Sequence, residues 1–122
     1  MTGLVTGTLD ATLSLRLRTT DGVEVGEVAA TIDTGFTEFL LLPTELVEPL
    51  GLTVQDEATI GLGDGTSTRM DVVAMDVQWF GRWRTVKAYV ADTDALVGVS
   101  LLEGCRLLID FVPGGEVRVE PI

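Results

Sequence analysis

Residues 28–36 read VAATIDTGF, and this stretch decides how the rest of the sequence is interpreted. Apolar and β-branched residues typical of a buried strand lead directly into Asp33, Thr34 and Gly35, which indicate a sharp turn. A second apolar run follows over 39–42. A carboxylate placed between two buried strands is costly to keep charged, so a chemical role for Asp33 is expected. An ordinary Asx turn is the simpler alternative.

The residues on either side of this stretch alternate with the period of β-strands. Apolar and polar residues alternate from Leu9 to Arg18, and a turn over 20–22 leads into a second strand over 23–32, where Gly26 suggests a bulge. The later elements predicted from the pattern are a strand over 37–42, a helix over 45–50 with Thr44 as N-cap and Gly51 at its end, hairpins over 60–70 and 78–91, a short helix over 99–103, and strands over 105–111 and 117–119. The sequence therefore predicts one mostly β domain over residues 1–122.

The charge of the chain limits its partners. The 19 acidic and 8 basic side chains give a formal net charge of −11. No basic stripe is present to replace the counterions of nucleic acid, and an anionic membrane surface would repel the chain. We therefore expect neither nucleic acid nor a membrane as a partner.

The absence of histidine removes several mechanisms at once. Without it there is no Ser-His-Asp triad, no Cys-His pair and no zinc site that uses imidazole. Cys105 is the single cysteine, so no intrachain disulfide forms, and a buried free thiol is expected. No apolar run has the length of a signal peptide or a membrane span. These features predict a soluble protein in the reducing environment of the cytoplasm.

Three stretches in order resemble the retropepsin-like aspartic peptidases, most closely their small bacterial members. Residues 30–35 match the catalytic loop, the hairpin over 60–70 stands where the family has its flap, and residues 95–102 with 105–111 match the hydrophobic-hydrophobic-Gly stretch, the C-terminal helix and the closing strand. The match spans roughly residues 9–111. The resemblance implies a mostly β, single-lobe, closed β-barrel with one or two short helices.

The resemblance also implies a site shared by two chains. Asp33, Thr34 and Gly35 become the catalytic loop, and the Asp33 carboxyl groups of a homodimer meet at a twofold axis, share one proton and activate a water. Thr34 then reaches the partner's loop, and Gly35 leaves room for substrate. The implied substrate-binding residues are Phe36, Thr37, Ile60, Leu62, Gly63, Asp64, Asp94 and Leu96. Polypeptide is the implied substrate, and neither metal nor cofactor is needed.

Some residues depart from the family pattern. Phe36 stands where a small residue is usual, and Val99 and Thr37 replace an arginine and an acidic residue that brace the family's dimer. These departures favour the alternative of a peptide-binding or scaffold module that no longer cuts. Asp110 is expected at a strand end. Asp71, Asp76, Asp92 and Asp94 are expected to face solvent, although Asp94 also stands close to the implied cleft.

Overall fold

The computed structural model describes residues 1–61 and 65–122. The strands formed within these ranges are β1 (Thr2–Val5), β2 (Ala11–Arg18), β3 (Glu24–Ile32), β4 (Leu40–Pro43), β5 (Asp56–Gly61), β6 (Ser67–Trp79), β7 (Arg82–Ala91), β8 (Leu96–Val97), β9 (Cys105–Ile109) and β10 (Glu116–Pro121). The helices there are α1 (Thr44–Val47), which a 3₁₀ turn over Glu48–Leu50 extends, and α2 (Val99–Leu102). The prediction of a mostly β chain with one or two short helices is confirmed.

The strands form one sheet that folds back on itself. They pair in the order β5-β6-β7-β4-β8-β3-β2-β1-β10-β9, and β2 pairs additionally with β6. The β3–β8 and β4–β7 pairs are parallel. Alternate residues of β2, namely Leu13, Leu15 and Leu17, are at most 1% exposed and lie in the main core. The period of two in the sequence therefore buries one face of this strand.

Local backbone features explain where several elements begin, turn and end. Pro43 occupies the N-cap position of α1 without a side-chain hydrogen bond, so the prediction of Thr44 as N-cap was wrong and Thr44 is the first helical residue. Gly51 ends the 3₁₀ turn with φ of 61°, in the left-handed region that glycine tolerates best. Phe80 and Gly81 both have positive φ, which suits the tight turn between β6 and β7. Gly26 also has positive φ, and it stands where the β2–β3 register shifts, as expected for a bulge.

Asp76 corrects the sequence analysis, because it is 5% exposed and does not face solvent. Its carboxylate accepts hydrogen bonds from Arg18 Nε at 3.0 Å and from the Thr85 hydroxyl. The Arg18 guanidinium also lies 4.2 Å from the centre of the Trp83 ring. Burial alone raises the pKa of Asp76, but the hydrogen bonds from Thr85 and Arg18 and the arginine charge outweigh it, so the pKa is lowered. Asp76 therefore joins β2, β6 and β7.

Two further expectations are tested by the fold. Cys105 is half-buried, whereas a buried thiol was predicted. Asp110 lies exposed directly after β9, as predicted for a strand-end residue.

None of the helices in the described ranges has the length and apolarity that crossing a bilayer requires.

Candidate active site

Asp33 stands at the point where β3 ends beside β8. Ile32 is in register with Val97 in this parallel pair, and the N–H of Asp33 donates to the Val97 carbonyl at 2.9 Å. Because β8 lies between β3 and β4, the loop over 33–39 must pass the end of β8 to connect its two neighbours. Asp33 is half-buried there, while Thr34 and Gly35 are exposed. The three predicted catalytic residues thus form one partly exposed turn at the end of buried strands.

The turn itself orients the carboxylate. Asp33 Oδ1 accepts the N–H of Gly35 at 2.9 Å, and the Asp33 carbonyl accepts the N–H of Phe36 at 3.1 Å. The Asx turn considered as an alternative is therefore present, and it fixes the carboxylate without burying it fully. An Asx turn and a catalytic role are compatible in this geometry.

The space around the Asp33 carboxylate favours glycine at residue 35. Its φ lies outside the left-handed region, so backbone conformation does not demand glycine. A Cβ built at this position would lie 3.2 Å from Asp33 Oδ1, which is closer than most contacts that Cβ atoms make. Any side chain at residue 35 would therefore crowd the Asp33 carboxylate.

The loop after the turn is fastened to the segment that begins α2. The N–H of Val99 donates to the Phe36 carbonyl at 2.9 Å, and the N–H of Gly98 donates to the Phe39 carbonyl at 3.0 Å. A Cβ at Gly98 would lie 1.9 Å from the Glu38 carbonyl oxygen, so only glycine fits. These contacts explain why β4 begins at Leu40, whereas a strand from residue 37 was predicted.

A second apolar cluster connects this loop with the base of the β5–β6 hairpin. It is separate from the main core. Its buried members are Leu41, Val72 and Tyr89, and Phe36, Ala58, Met70, Ala91 and Leu96 pack against them half-buried. The predicted substrate-binding residues Phe36 and Leu96 therefore lie in one cluster. The hairpin contributes Ala58 and Met70 to it, which makes an apolar surface that begins beside Asp33.

Phe36 is accommodated by its neighbours. Its ring meets the Tyr89 ring edge-on, with centroids 6.2 Å apart, and its edge lies over Gly98, where a Cβ would come within 2.8 Å of it. The bulk that departs from the family pattern is thus packed among Gly98, Tyr89 and the apolar cluster. The Phe36 ring forms one side of this apolar surface.

Tyr89 is a residue of this surface that sequence analysis missed. It is 8% exposed. Burial raises the pKa of its hydroxyl, and the nearby charge of Glu38, a hydrogen bond to Glu38 and the charge of Asp56 raise it further. The second apolar cluster therefore includes a polar pair, formed by the Tyr89 hydroxyl and the Glu38 carboxylate. The sequence pattern of β7 indicated a strand, but no local feature of the sequence places Glu38 beside Tyr89.

The remaining predicted site residues lie in other places. Thr37 is exposed, and its carbonyl accepts the Ser100 hydroxyl. Asp94 is exposed and borders a groove with Pro43, Thr44, Glu45, Asp92 and Thr93, apart from Leu96 and the apolar cluster. Ile60 belongs to β5, in register with Thr68. Leu62, Gly63 and Asp64 lie outside the described residues.

Comparison with solved structures shows which fold this is. The chain is similar to a retropepsin-like aspartic protease from Rickettsia conorii (17% identity, 98% of this chain and 91% of that chain covered, TM-score 0.63). It is also similar to the EIAV protease complexed with the inhibitor HBY-793 (17% identity, 77% and 86% covered, TM-score 0.59). A third similar structure is the simian foamy virus (mac) protease (18% identity, 74% and 91% covered, TM-score 0.50).

Sequence comparison gives no second line of evidence. No family model matches the sequence, and no curated protein matches it either. At identities of 17–18% the structural likeness shows the fold and leaves the chemistry to the residues. The chain has the single-lobe fold of the retropepsin-like aspartic proteases, as the resemblance implied.

Proposed function

We propose that the chain is an aspartic endopeptidase that works as a homodimer. The observation that carries the proposal is the position of Asp33, whose half-buried carboxylate is oriented by an Asx turn at the end of the β3–β8 pair. An apolar surface able to hold substrate begins beside it. Each chain would contribute one Asp33 carboxylate to the site. The second carboxylate would therefore come from a second copy of the chain.

The proposed chemistry needs only these two carboxyl groups and water. Two carboxylates about 3 Å apart cannot both ionise cheaply, so the pair holds one proton. The charged Asp33 takes a proton from water as its oxygen attacks the scissile carbonyl carbon, and the protonated Asp33 donates to the carbonyl oxygen. As the C–N bond breaks, the Asp33 that took the proton from water gives it to the leaving nitrogen, and the other Asp33 takes a hydroxyl proton back from the tetrahedral intermediate. The titration belongs to the pair and not to either residue.

The proposed substrate is an extended polypeptide. Backbone groups of the β5–β6 hairpin would pair with it as an added strand, while Phe36 and Leu96 contact its side chains. Exposed Thr34 would reach the loop of the second copy. Two chains together carry twice −11, or −22, so we expect dimerisation and activity to improve toward acidic to mildly acidic pH. We place the protein in the cytoplasm, because its single cysteine forms no intrachain disulfide.

The alternative function is a peptide-binding or scaffold module that does not cut. In the sequence, the large residue Phe36 favoured this alternative function. In the structure, the Phe36 ring packs against Gly98 and Tyr89, and the Asp33 turn is intact. A strictly monomeric chain would bring only one Asp33 to each site and would support the alternative. Sedimentation at micromolar concentration separates the two functions.

The proposal is tested by peptide cleavage with Asp33→Asn. This variant keeps the size and the hydrogen-bonding turn but cannot supply a carboxylate, so cleavage should fall to background while fold and dimer persist. Asp110→Asn is a matched control, since Asp110 also follows an apolar strand and is exposed. It should cut like the unchanged protein. Cleavage by Asp33→Asn at the original rate would refute the proposal.

A further inference from the structure

Strand β7 is covered along only part of one edge. It pairs with β6 on one side, whereas β4 covers the other side only from Ala88 to Ala91. The chain before β4 does not continue this pairing, because the loop over 36–39 bonds to residues 98–100 instead. Residues 82–87 therefore have no paired strand on this edge among the residues that the structure describes.

The backbone groups at this edge belong to Trp83, Thr85 and Lys87. The carbonyl of Val72 in β6 accepts the N–H of Gln55 at 2.8 Å, so it faces away from β7. Because backbone groups alternate sides along a strand, the other even-numbered residues of β6 also face away, and so do their odd-numbered partners in β7. Within the described ranges, no group outside the β-ladders accepts a hydrogen bond from the N–H of Trp83, Thr85 or Lys87.

This edge is basic although the chain is acidic. Residues 82–87 read RWRTVK and carry +3, so the rest of the chain carries −14, the difference between −11 and +3. Arg82, Arg84 and Lys87 are exposed, and the ion pairs formed by the described residues involve none of them. The Arg84 guanidinium lies 5.4 Å from the centre of the Phe39 ring. Three cationic side chains are therefore available to an external carboxylate.

The cations stand on both faces of the edge. Side chains alternate between faces along the strand, and Val86 packs into the main core. Arg84 shares the face of Val86, whereas Lys87 lies on the opposite face with Thr85. A groove of about 390 Å³ lies against this part of β7, and all four of these residues line it. A strand added here would meet a cation on each of its faces.

We propose that this edge of β7 binds an acidic, extended polypeptide segment of a partner protein, which adds to the sheet as a strand. The N–H and C=O groups of Trp83 and Thr85 pair with the backbone of the segment, and its carboxylates contact Arg84 and Lys87. The inference goes beyond the proposed function, because it involves neither the Asp33 turn nor cleavage.

Charge selects this partner over the alternatives. A second copy paired through the same edge would bring the six cations of two chains together, and like charges that face each other across strands are destabilising. The cations therefore protect the edge from copies of the chain, and they attract a strand of opposite charge. Glu38 also lines the groove, but its carboxylate bonds to Tyr89. Nucleic acid offers no peptide backbone to pair with the open groups.

Peptide binding tests the proposal. The probe is a fluorescent peptide of about ten residues in which glutamate and valine alternate, and the protein carries Asp33→Asn so that the probe stays whole. Its anisotropy should rise on binding despite the net negative charge of the chain, and the affinity should fall with added salt. A neutral glutamine–valine peptide should bind more weakly. No binding of the acidic peptide, or equal binding of the neutral one, would overturn the inference.

Two single variants test the charges of the edge. Arg84→Gln and Lys87→Gln should each raise the dissociation constant of the acidic peptide by roughly threefold, since exposed ion pairs are weak, and the double variant by about tenfold. Arg106→Gln is the matched control, because Arg106 is an exposed arginine of β9 that forms no ion pair with the described residues. It loses the same charge and should bind like the unchanged edge. Equal losses in all three would show that only net charge matters and would overturn the site.

Hydrogen exchange tests the added strand directly. When the acidic peptide saturates the protein, exchange of the N–H groups of Trp83 and Thr85 should slow by roughly tenfold or more, because each gains a hydrogen bond. The amides of the turn over 20–22 should keep their rates. Binding that leaves the exchange of Trp83 and Thr85 unchanged, or equal affinity for an oligothymidylate of the same charge, would overturn the proposal of strand addition and leave the proposed function standing.

Discussion

The hydroxyl of Ser100 donates to the carbonyl oxygen of Thr37 at 2.6 Å, and so ties helix α2 to the loop that follows Asp33. The N–H of Ser100 also points to the Glu38 carbonyl, at 3.3 Å. Val99 and Thr37, which lie beside Ser100 and in this loop, carry no charged side chains. Within one chain, Ser100 fastens the same loop by bonding its backbone.

We expect Ser100→Ala to loosen this loop. Losing one hydrogen bond should lower the free energy of unfolding by about 1 kcal/mol. The rate of peptide cleavage should fall by a larger factor than the affinity for peptide, because the bond positions the loop that carries Asp33. Ser100→Thr keeps the hydroxyl and should restore both quantities. Equal stability of the serine and alanine proteins in urea would show that the bond contributes nothing.

Gly35→Ala should impair cleavage without unfolding the protein. The added Cβ would lie 3.2 Å from Asp33 Oδ1 and displace the carboxylate, so kcat/KM should fall on the order of 100-fold. Gly35 is exposed and its φ is not left-handed, so stability should stay within about 0.5 kcal/mol. Gly7→Ala is the control, because its Cβ would enter open space. Full activity in the Gly35 variant would contradict a reacting site at this turn.

Asp76→Asn should destabilise the fold in a pH-dependent way. At neutral pH the variant loses the charged bonds from Arg18 and Thr85, and the free energy of unfolding should drop by about 1–3 kcal/mol. Because the pKa of Asp76 is lowered in the folded chain, this contribution is present above about pH 4 and is lost as pH falls through the folded pKa.

Denaturant titrations at several pH values measure this difference. The gap between Asp76→Asn and the unchanged protein should shrink steadily as the solution is acidified below about pH 4. Asp71→Asn, an exposed aspartate on the same strand, should show little effect at any pH. A gap that stays constant with pH would mean that the charge of Asp76 does not stabilise the fold.

Tyr89 offers a direct view of the apolar surface, because it is the single tyrosine of the chain. Its pKa is raised by burial and by Glu38, so the ultraviolet absorbance of tyrosinate should appear above about pH 10. Glu38→Gln removes the charge and should move the midpoint to lower pH. Between the unfolded and folded pKa values, stability should fall as pH rises. A midpoint that Glu38→Gln leaves in place would show that Glu38 does not raise the pKa of Tyr89.

Local sequence patterns predicted the parts of the fold that depend on near neighbours. The alternation in β2 predicted its buried leucines, and the apolar run before Asp33 predicted a strand that ends in a turn. Gly51 ends its helix as expected, because a left-handed residue is a property of the local backbone. The candidate site could be recognised for the same reason, since its central turn is continuous in sequence.

Long-range contacts decided what the sequence did not predict. β4 begins late because residues 36–39 bond to residues 98–100, which lie far away along the chain. Asp76 was expected to face solvent, whereas Met75, Asp76 and Val77 are all buried. Its partners Arg18 and Thr85 come from two other strands. Such burial on both faces removes the period of two.

The most direct measurement of the central claim is the separation of the two Asp33 carboxyl groups in a structure that contains both copies of the chain. The account predicts that these groups face each other across a twofold axis, about 3 Å apart, with a water molecule bound between them and the substrate cleft. Carboxyl groups that lie far apart in every assembly of the protein, or that point into packed interior with no room for water, would contradict it.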